Sequence, residues 1–225
     1  MCEALLPHLY HITPHNPVPE ITVPNCSIYA LAATEHLLLI DSGNGFSQRS
    51  LRDALRSQGW LDGRPITLLL THCHIDHSGG AEYFHPCMQV CASSGTAAAL
   101  RTASHRCWYE APELLRPIPV HTVLHASALQ VGPFTVDVVP TPGHTGDSLS
   151  FLVQIDDHRC LFSGDLVMPD GSVGWRGSED YDRQQLLDSL RWLATLDVDV
   201  LGTGHGFLRG EACARVKTAW EKEQS

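Results

Sequence analysis

Thr71-His72-Cys73-His74-Ile75-Asp76-His77-Ser78-Gly79-Gly80 is the stretch around which the chain is read. Three histidines and one aspartate fall within positions 72–77. They follow Ile66-Thr67-Leu68-Leu69-Leu70, an apolar run with the length of a buried strand. Imidazoles and a carboxylate are donors that zinc and other borderline divalent ions accept. Alternation along extended backbone puts His72 and His74 on one side and Cys73 on the other, and the following turn brings Asp76 and His77 around. With 14 histidines in 225 residues some clustering is expected, but abundance does not explain this spacing directly after a strand.

Outward from that stretch, composition bounds the answer. A chain of 225 residues can bury a sizeable core, and the sequence contains no repeat, low-complexity tract or evident linker, so one domain over residues 1–225 is expected. Lys+Arg 15 against Asp+Glu 25 gives a net charge of -10, with no basic run, which makes nucleic acid an unexpected partner. No apolar segment reaches the roughly 18 residues of a membrane helix, so no membrane association is expected. Met1-Cys2-Glu3-Ala4-Leu5-Leu6-Pro7 lacks a basic region and a long apolar core, and the 8 cysteines are scattered with no C-x-x-C pair. Reduced thiols in a cytoplasmic protein follow as the expectation.

The elements read as follows. Residues 8–24, carrying Pro14, Pro17, Pro19 and Pro24, predict extended, edge-strand or loop backbone. Strands are expected at 26–32 and 36–41, and a helix over 48–58 capped by Ser47 and ended by Gly59. After the histidine stretch come a short helix at 81–84, a strand at 88–92 and a helix at 94–103. Residues 104–128 read as an irregular, lid-like insertion. A hairpin at 129–139, strands at 149–155 and 159–163, an amphipathic helix at 181–196, a strand at 198–201 and a closing helix at 210–222 complete the chain.

Three further loops carry a donor each: His144 in Pro142-Gly143-His144-Thr145, Asp165 in Gly164-Asp165, and His205 in Gly204-His205-Gly206. With His72, His74, Asp76 and His77 the donors are too many for one tetrahedral zinc and suit two ions about 3.5–4 Å apart sharing a carboxylate. These motifs, in this order and spacing, resemble the metallo-β-lactamase fold superfamily. The resemblance implies an α+β fold, a four-layer αβ/βα sandwich of two mixed β-sheets packed face to face with helices outside and metals at one rim. It implies two Zn2+ per chain, with iron or manganese sharing the same ligand types. His72, His74 and His144 would hold the first ion, Asp76, His77 and His205 the second, and Asp165 would bridge. Asp41, at the end of Leu39-Ile40-Asp41, would support the site. Asp76 would also orient a bridging hydroxide, the nucleophile.

Departures from the family pattern narrow the chemistry. A bridging Asp165 resembles glyoxalase II, lactonase and ribonuclease branches rather than true β-lactamases. Met168 stands where homoserine lactonases place a tyrosine, and Gly174-Trp175-Arg176-Gly177 differs from the glutathione-recognition loop of glyoxalase II. The expectation is a metal-dependent hydrolase of an ester, thioester or lactone of a small acid, closest to small thioesterase- or endoribonuclease-like members. The alternatives are a phosphodiesterase or ribonuclease of the same fold, a mononuclear iron oxygenase resembling persulfide dioxygenase with His72, His144 and Asp165 as its triad, and a binding protein with an inert site. A small-molecule substrate would be recognised by residues among Asn25, Arg101, His105, Arg106, Trp108, Tyr109, Met168, Trp175, Arg176 and Tyr181. A homo-oligomer is compatible with the sequence.

Overall fold

The computed structural model describes residues 1–15, 23–46, 48–84 and 87–224. Contacts divide the chain into two compact units, Met1–Leu124 with Gln130–Pro133, and His125–Leu129 with Phe134–Ser225. In the first, β1 (Cys2–Leu6), β2 (Leu9–Ile12), β3 (Ile28–Ala32) and β4 (Leu37–Ile40) form an antiparallel meander. Helix α1 (Gln48–Ser57) crosses to β5 (Ile66–Leu69), which lies parallel to β4 with Ile40 opposite Leu69. The short helices α2 (Ile75–Ser78) and α3 (Ala81–Phe84) then lead to β6 (Gln89–Ala92), parallel to β5. Helix α4 (Ser94–Arg101) leads to β7 (Thr122–Val123), which extends the sheet on the far side of β6. The core clusters Ile28, Leu37, Leu39, Leu68 and Val90 with Leu51 and Leu55 of α1. Both leucines are four apart and fully buried, as one apolar helical face requires.

Parallel register fixes where chemistry can sit. The carboxyl ends of β4 and β5 finish side by side, with Asp41 N donating to Leu69 O at 2.9 Å and Leu70 N to Cys91 O at 3.0 Å. Asp41 and Thr71–His72 therefore emerge from one edge, the usual place for sites in parallel sheets.

The second unit carries β8 (Ser127–Val131), β9 (Phe134–Pro140), β10 (Leu149–Ile155), β11 (His158–Gly164), β12 (Val200–Thr203) and β13 (Gly206–Arg209), in sheet order β13-β12-β11-β10-β9-β8. Strands β9, β10 and β11 alternate in direction and β12 runs parallel to β11, so β9, β11 and β12 all point the same way. Their carboxyl ends feed the loops bearing His144, Asp165 and His205, and Gly204 N donates to Gly164 O at 2.8 Å across two of them. Helix α5 (Arg183–Leu193) buries Leu186, Leu190 and Leu193 against Leu161, Leu201 and the Val216 face of α6 (Ala212–Gln224). Asp182 caps α5, its side chain accepting from Gln185 N at 3.0 Å.

Both sheets mix parallel and antiparallel pairing and both units carry helices, so the chain is α+β as expected. Residues 9–12 are extended as expected but form an inner strand rather than an edge strand or loop. Strand β2 pairs with both β1 and β3, because the prolines that deny ladder bonds begin only at Pro14. The capping residue expected for α1, Ser47, lies outside the described residues. Strand β13 begins within the expected Gly202–Gly206 loop, and α5 is shorter at both ends than 181–196. Among the described residues no helix is long and apolar enough to cross a membrane.

Candidate metal centre

The first unit assembles its donors from one edge. Asp41 sits at φ +60, a left-handed turn that Asp tolerates, and is 2 % exposed. Its carboxylate accepts from Thr71 N at 2.8 Å, Thr71 Oγ1 at 2.8 Å and His77 Nδ1 at 2.7 Å. These bonds set tautomers. With its Nδ1–H given to Asp41, His77 keeps the lone pair on Nε2, which lies 3.6 Å from Asp76 Oδ2. The Thr71 hydroxyl spends its proton on Asp41, so its oxygen accepts from His72 Nδ1 at 3.0 Å, leaving the His72 lone pair on Nε2. That atom faces His74 Nδ1 at 3.1 Å. Two nitrogens bound to one zinc at 2.0–2.1 Å with a tetrahedral angle stand roughly 3.3 Å apart, so this pair has the spacing of a half-formed ligand set.

The two glycines closing the motif have a steric reason. A Cβ on Gly80 would stand 2.1 Å from Ser42 O, and one on Gly79 2.5 Å from Asn44 O. The close approach lets Ser42 N and Oγ both donate to His77 O, at 2.8 and 2.9 Å. Cys73, the residue of opposite parity, is buried in the core of this unit. Cys26, which the sequence does not single out, lies with Asp41 and His77 in a fully buried group whose donor atoms are within 4.8 Å of one another. Burial, the largest influence, pushes its thiol well above the ordinary range. Asp41 already holds three hydrogen bonds, so this trio reads as packing behind His77 rather than a further metal site.

In the second unit Asp165 divides its two oxygens between two histidines. Oδ2 lies 3.7 Å from His144 Nε2, and Oδ1 lies 3.6 Å from His205 Nε2. Each oxygen thus faces one imidazole nitrogen at a separation two ligands of a single ion can have. His144 is presented by a loop locked to α5. Gly143 N donates to Thr145 O, Asp182 N to Gly143 O, and Ser189 Oγ to Pro142 O, the last at 2.7 Å. Gly143 is required there, since a Cβ would come 2.4 Å from Leu186 Cα. Each unit's donor set fits zinc-class ions by atom type and spacing, with His205 the exposed member.

The residues expected to recognise substrate have diverse placements. Asn25 Oδ1 accepts from Asn44 N at 3.0 Å and braces the turn after β4. Arg101 donates to Val120 O at 2.6 Å. Trp108 is buried against Phe46, with ring centroids 5.5 Å apart. Tyr109 is half-buried and its ring is T-shaped to that of His74, centroids 6.3 Å apart, and to that of His105, 6.0 Å apart. Arg106 is half-buried between them in sequence. In the second unit Arg176 is paired with the buried carboxylate of Glu223, and Tyr181 packs on the α5/α6 core. Met168 is half-buried and its backbone N donates to Ser172 O. Trp175 is 53 % exposed and covers Gly177. Glu223 carries no sequence signal for this role, because its partner lies 47 residues away.

The sequence matches a family model described as the metallo-beta-lactamase superfamily over residues 21–205. Acyl-coenzyme A thioesterase MBLAC2 of Gallus gallus is 30% identical over 173 residues, covering 66% of this chain and 60% of that protein. Atrochrysone carboxyl ACP thioesterase of Aspergillus fumigatus is 27% identical over 224 residues, 99% of this chain and 63% of that protein. The chain thus spans about six-tenths of the length of these curated relatives. A subclass B3 metallo-β-lactamase of Bradyrhizobium japonicum has the same fold, with a TM-score of 0.78 at 18% identity over 99% of this chain and 92% of that one.

Proposed function

The chain belongs to the metallo-beta-lactamase superfamily, and from that membership we propose that it is a metal-dependent hydrolase of small-molecule thioesters. The observation that carries the metal dependence is Asp165, with one oxygen toward His144 and the other toward His205. In this reading His72, His74 and His144 would hold one ion and Asp76, His77 and His205 the other, with Asp165 shared between them. The thioesterase names of two relatives support the substrate class. When bound, such ions lower the pKa of water toward about 7 and polarise a carbonyl oxygen.

The remaining work falls to the chain's own groups. Asp41 and Thr71 hold His77 and His72 in the tautomers that leave Nε2 available. Asp76 orients the nucleophile. A thiolate, whose conjugate acid has a pKa near 8.5, departs from the acyl carbon without a proton donor, whereas an alkoxide needs one. The site therefore has only to supply a nucleophile and an oxyanion partner.

A panel of acyl thioesters, esters, lactones, β-lactams and bis-p-nitrophenyl phosphate tests the reading. The expected result is a kcat/KM for thioesters about a hundredfold above every other class. A preference for the phosphodiester would overturn it.

A further inference from the structure

We propose that Tyr109 is the specificity-determining residue for the acyl group, an aromatic wall that favours planar, conjugated acyl chains over small aliphatic ones. The inference rests on the thioesterase reading above. Its basis is how the insertion after α4 is held. Arg101 Nη2 donates to Val120 O, and Ile118 N to Leu100 O at 2.9 Å, closing both ends of the excursion. Within it, the first of two 3-10 turns, His105–Cys107, begins after Ser104, whose N donates to Ala99 O at 2.9 Å. Cys107 and Trp108 are buried, Trp108 edge-to-face with Phe46.

Trp108 has extended backbone, φ -156 and ψ 101. Neighbouring side chains on extended backbone point to opposite sides. Sinking Trp108 into the unit therefore turns Tyr109 the other way, where its ring meets His74 and is flanked by His105. Tyr109 stays half-buried.

Distance decides which part of a substrate that surface touches. His74 Nδ1 is one of the nitrogens paired at 3.1 Å with His72. The Tyr109 ring, 6.3 Å from the His74 ring, neighbours the nitrogen pair that would hold an ion, so a carbonyl drawn to that ion would bring its acyl substituent toward the Tyr109 ring. A planar acyl substituent gains an aromatic contact there, and a methyl group does not. By area and ring geometry such a contact is worth roughly two- to tenfold in affinity.

The test uses the metal-loaded full chain and two non-hydrolysable ketone analogues of N-acetylcysteamine thioesters, one phenacyl and one acetonyl, with dissociation constants from calorimetry. The wild type is expected to bind the phenacyl compound about tenfold more tightly. Tyr109→Ala should reduce that preference below about twofold, and Tyr109→Phe should preserve it, since the ring and not the hydroxyl makes the contact. Retention of the preference in Tyr109→Ala, its loss in Tyr109→Phe, or no preference or binding in the wild type overturns the assignment. Circular dichroism and metal content of each variant guard against misfolding, and a misfolded Tyr109→Ala is replaced by Tyr109→Leu with the same criteria. Turnover of benzoyl and acetyl thioesters by the wild type is measured in parallel. Absence of turnover refutes the thioesterase reading, while the binding ratio still decides the role of Tyr109.

Discussion

Replacing Asp41 by Asn isolates what its charge does. Asn tolerates φ +60 as well as Asp, so the backbone is left alone. Of the three bonds the carboxylate accepts, at 2.7–2.8 Å, the amide oxygen can keep the one from Thr71 N. The amide NH2 can donate to Thr71 Oγ1, but nothing on it accepts from His77 Nδ1–H. One buried, charge-assisted bond is lost, in a site 2 % exposed. A loss of this kind costs about 1.5–3 kcal/mol. Alternatively His77 switches tautomer, restores that bond and withdraws its Nε2 lone pair, and zinc affinity falls instead, by roughly 10- to 100-fold. Urea unfolding of chelated protein and competitive zinc titration read the two outcomes. Asp41→Asn with stability within about 0.5 kcal/mol and unchanged zinc affinity refutes the tautomer argument.

Other expectations test separate parts of the account. Native protein at pH 8 should react rapidly with a thiol reagent at exposed Cys87 and not at Cys91 or Cys160, whose thiols burial pushes up to about 11 and about 12. Rapid labelling of Cys160 before unfolding would contradict the burial assigned to β11. Gly143→Ala should destabilise by about 3 kcal/mol or more through its clash with Leu186, while Gly63→Ala, with open space around it, should cost about 1 kcal/mol for its positive φ. Equal losses in urea unfolding would remove the steric claim. Burial, the largest influence, lowers the pKa of His11 below 6.5 despite the opposing charge of Glu3. The unfolded chain then takes up the proton first, so this contribution is intact above pH 6.5 and lost as pH falls through and below it. His11→Gln should lose less stability between about pH 7 and 5 than the wild type, and an equal or larger loss would be contrary.

How much was legible in the sequence depended on how local the cause is. The run 66–70 followed by His72 and His74 announces itself, because strand alternation alone sets their common side, and the structure puts their nitrogens 3.1 Å apart. Helix α3 falls at the expected 81–84, and Leu186, Leu190 and Leu193 all face the core of the second unit. The likeness in fold extends over almost the whole chain. What stayed hidden depends on partners distant in sequence. The place of β2 between β1 and β3 requires sheet order, which periodicity does not carry. Arg101 and Arg176 read as mouth residues because an arginine's partner is invisible when it lies 19 or 47 residues away. Cys26 shows the same limit, being 15 residues before Asp41 and 51 before His77 in the chain yet packed with both.

Zinc titration of fully chelated protein, followed by the initial rate of hydrolysis of one good acyl thioester, puts the central claim at most direct risk. The account predicts negligible activity without metal and a rise that saturates near two equivalents per chain, as the proposed two-ion site requires. Full thioester hydrolysis by the metal-free chain, unaltered by added zinc, would contradict it.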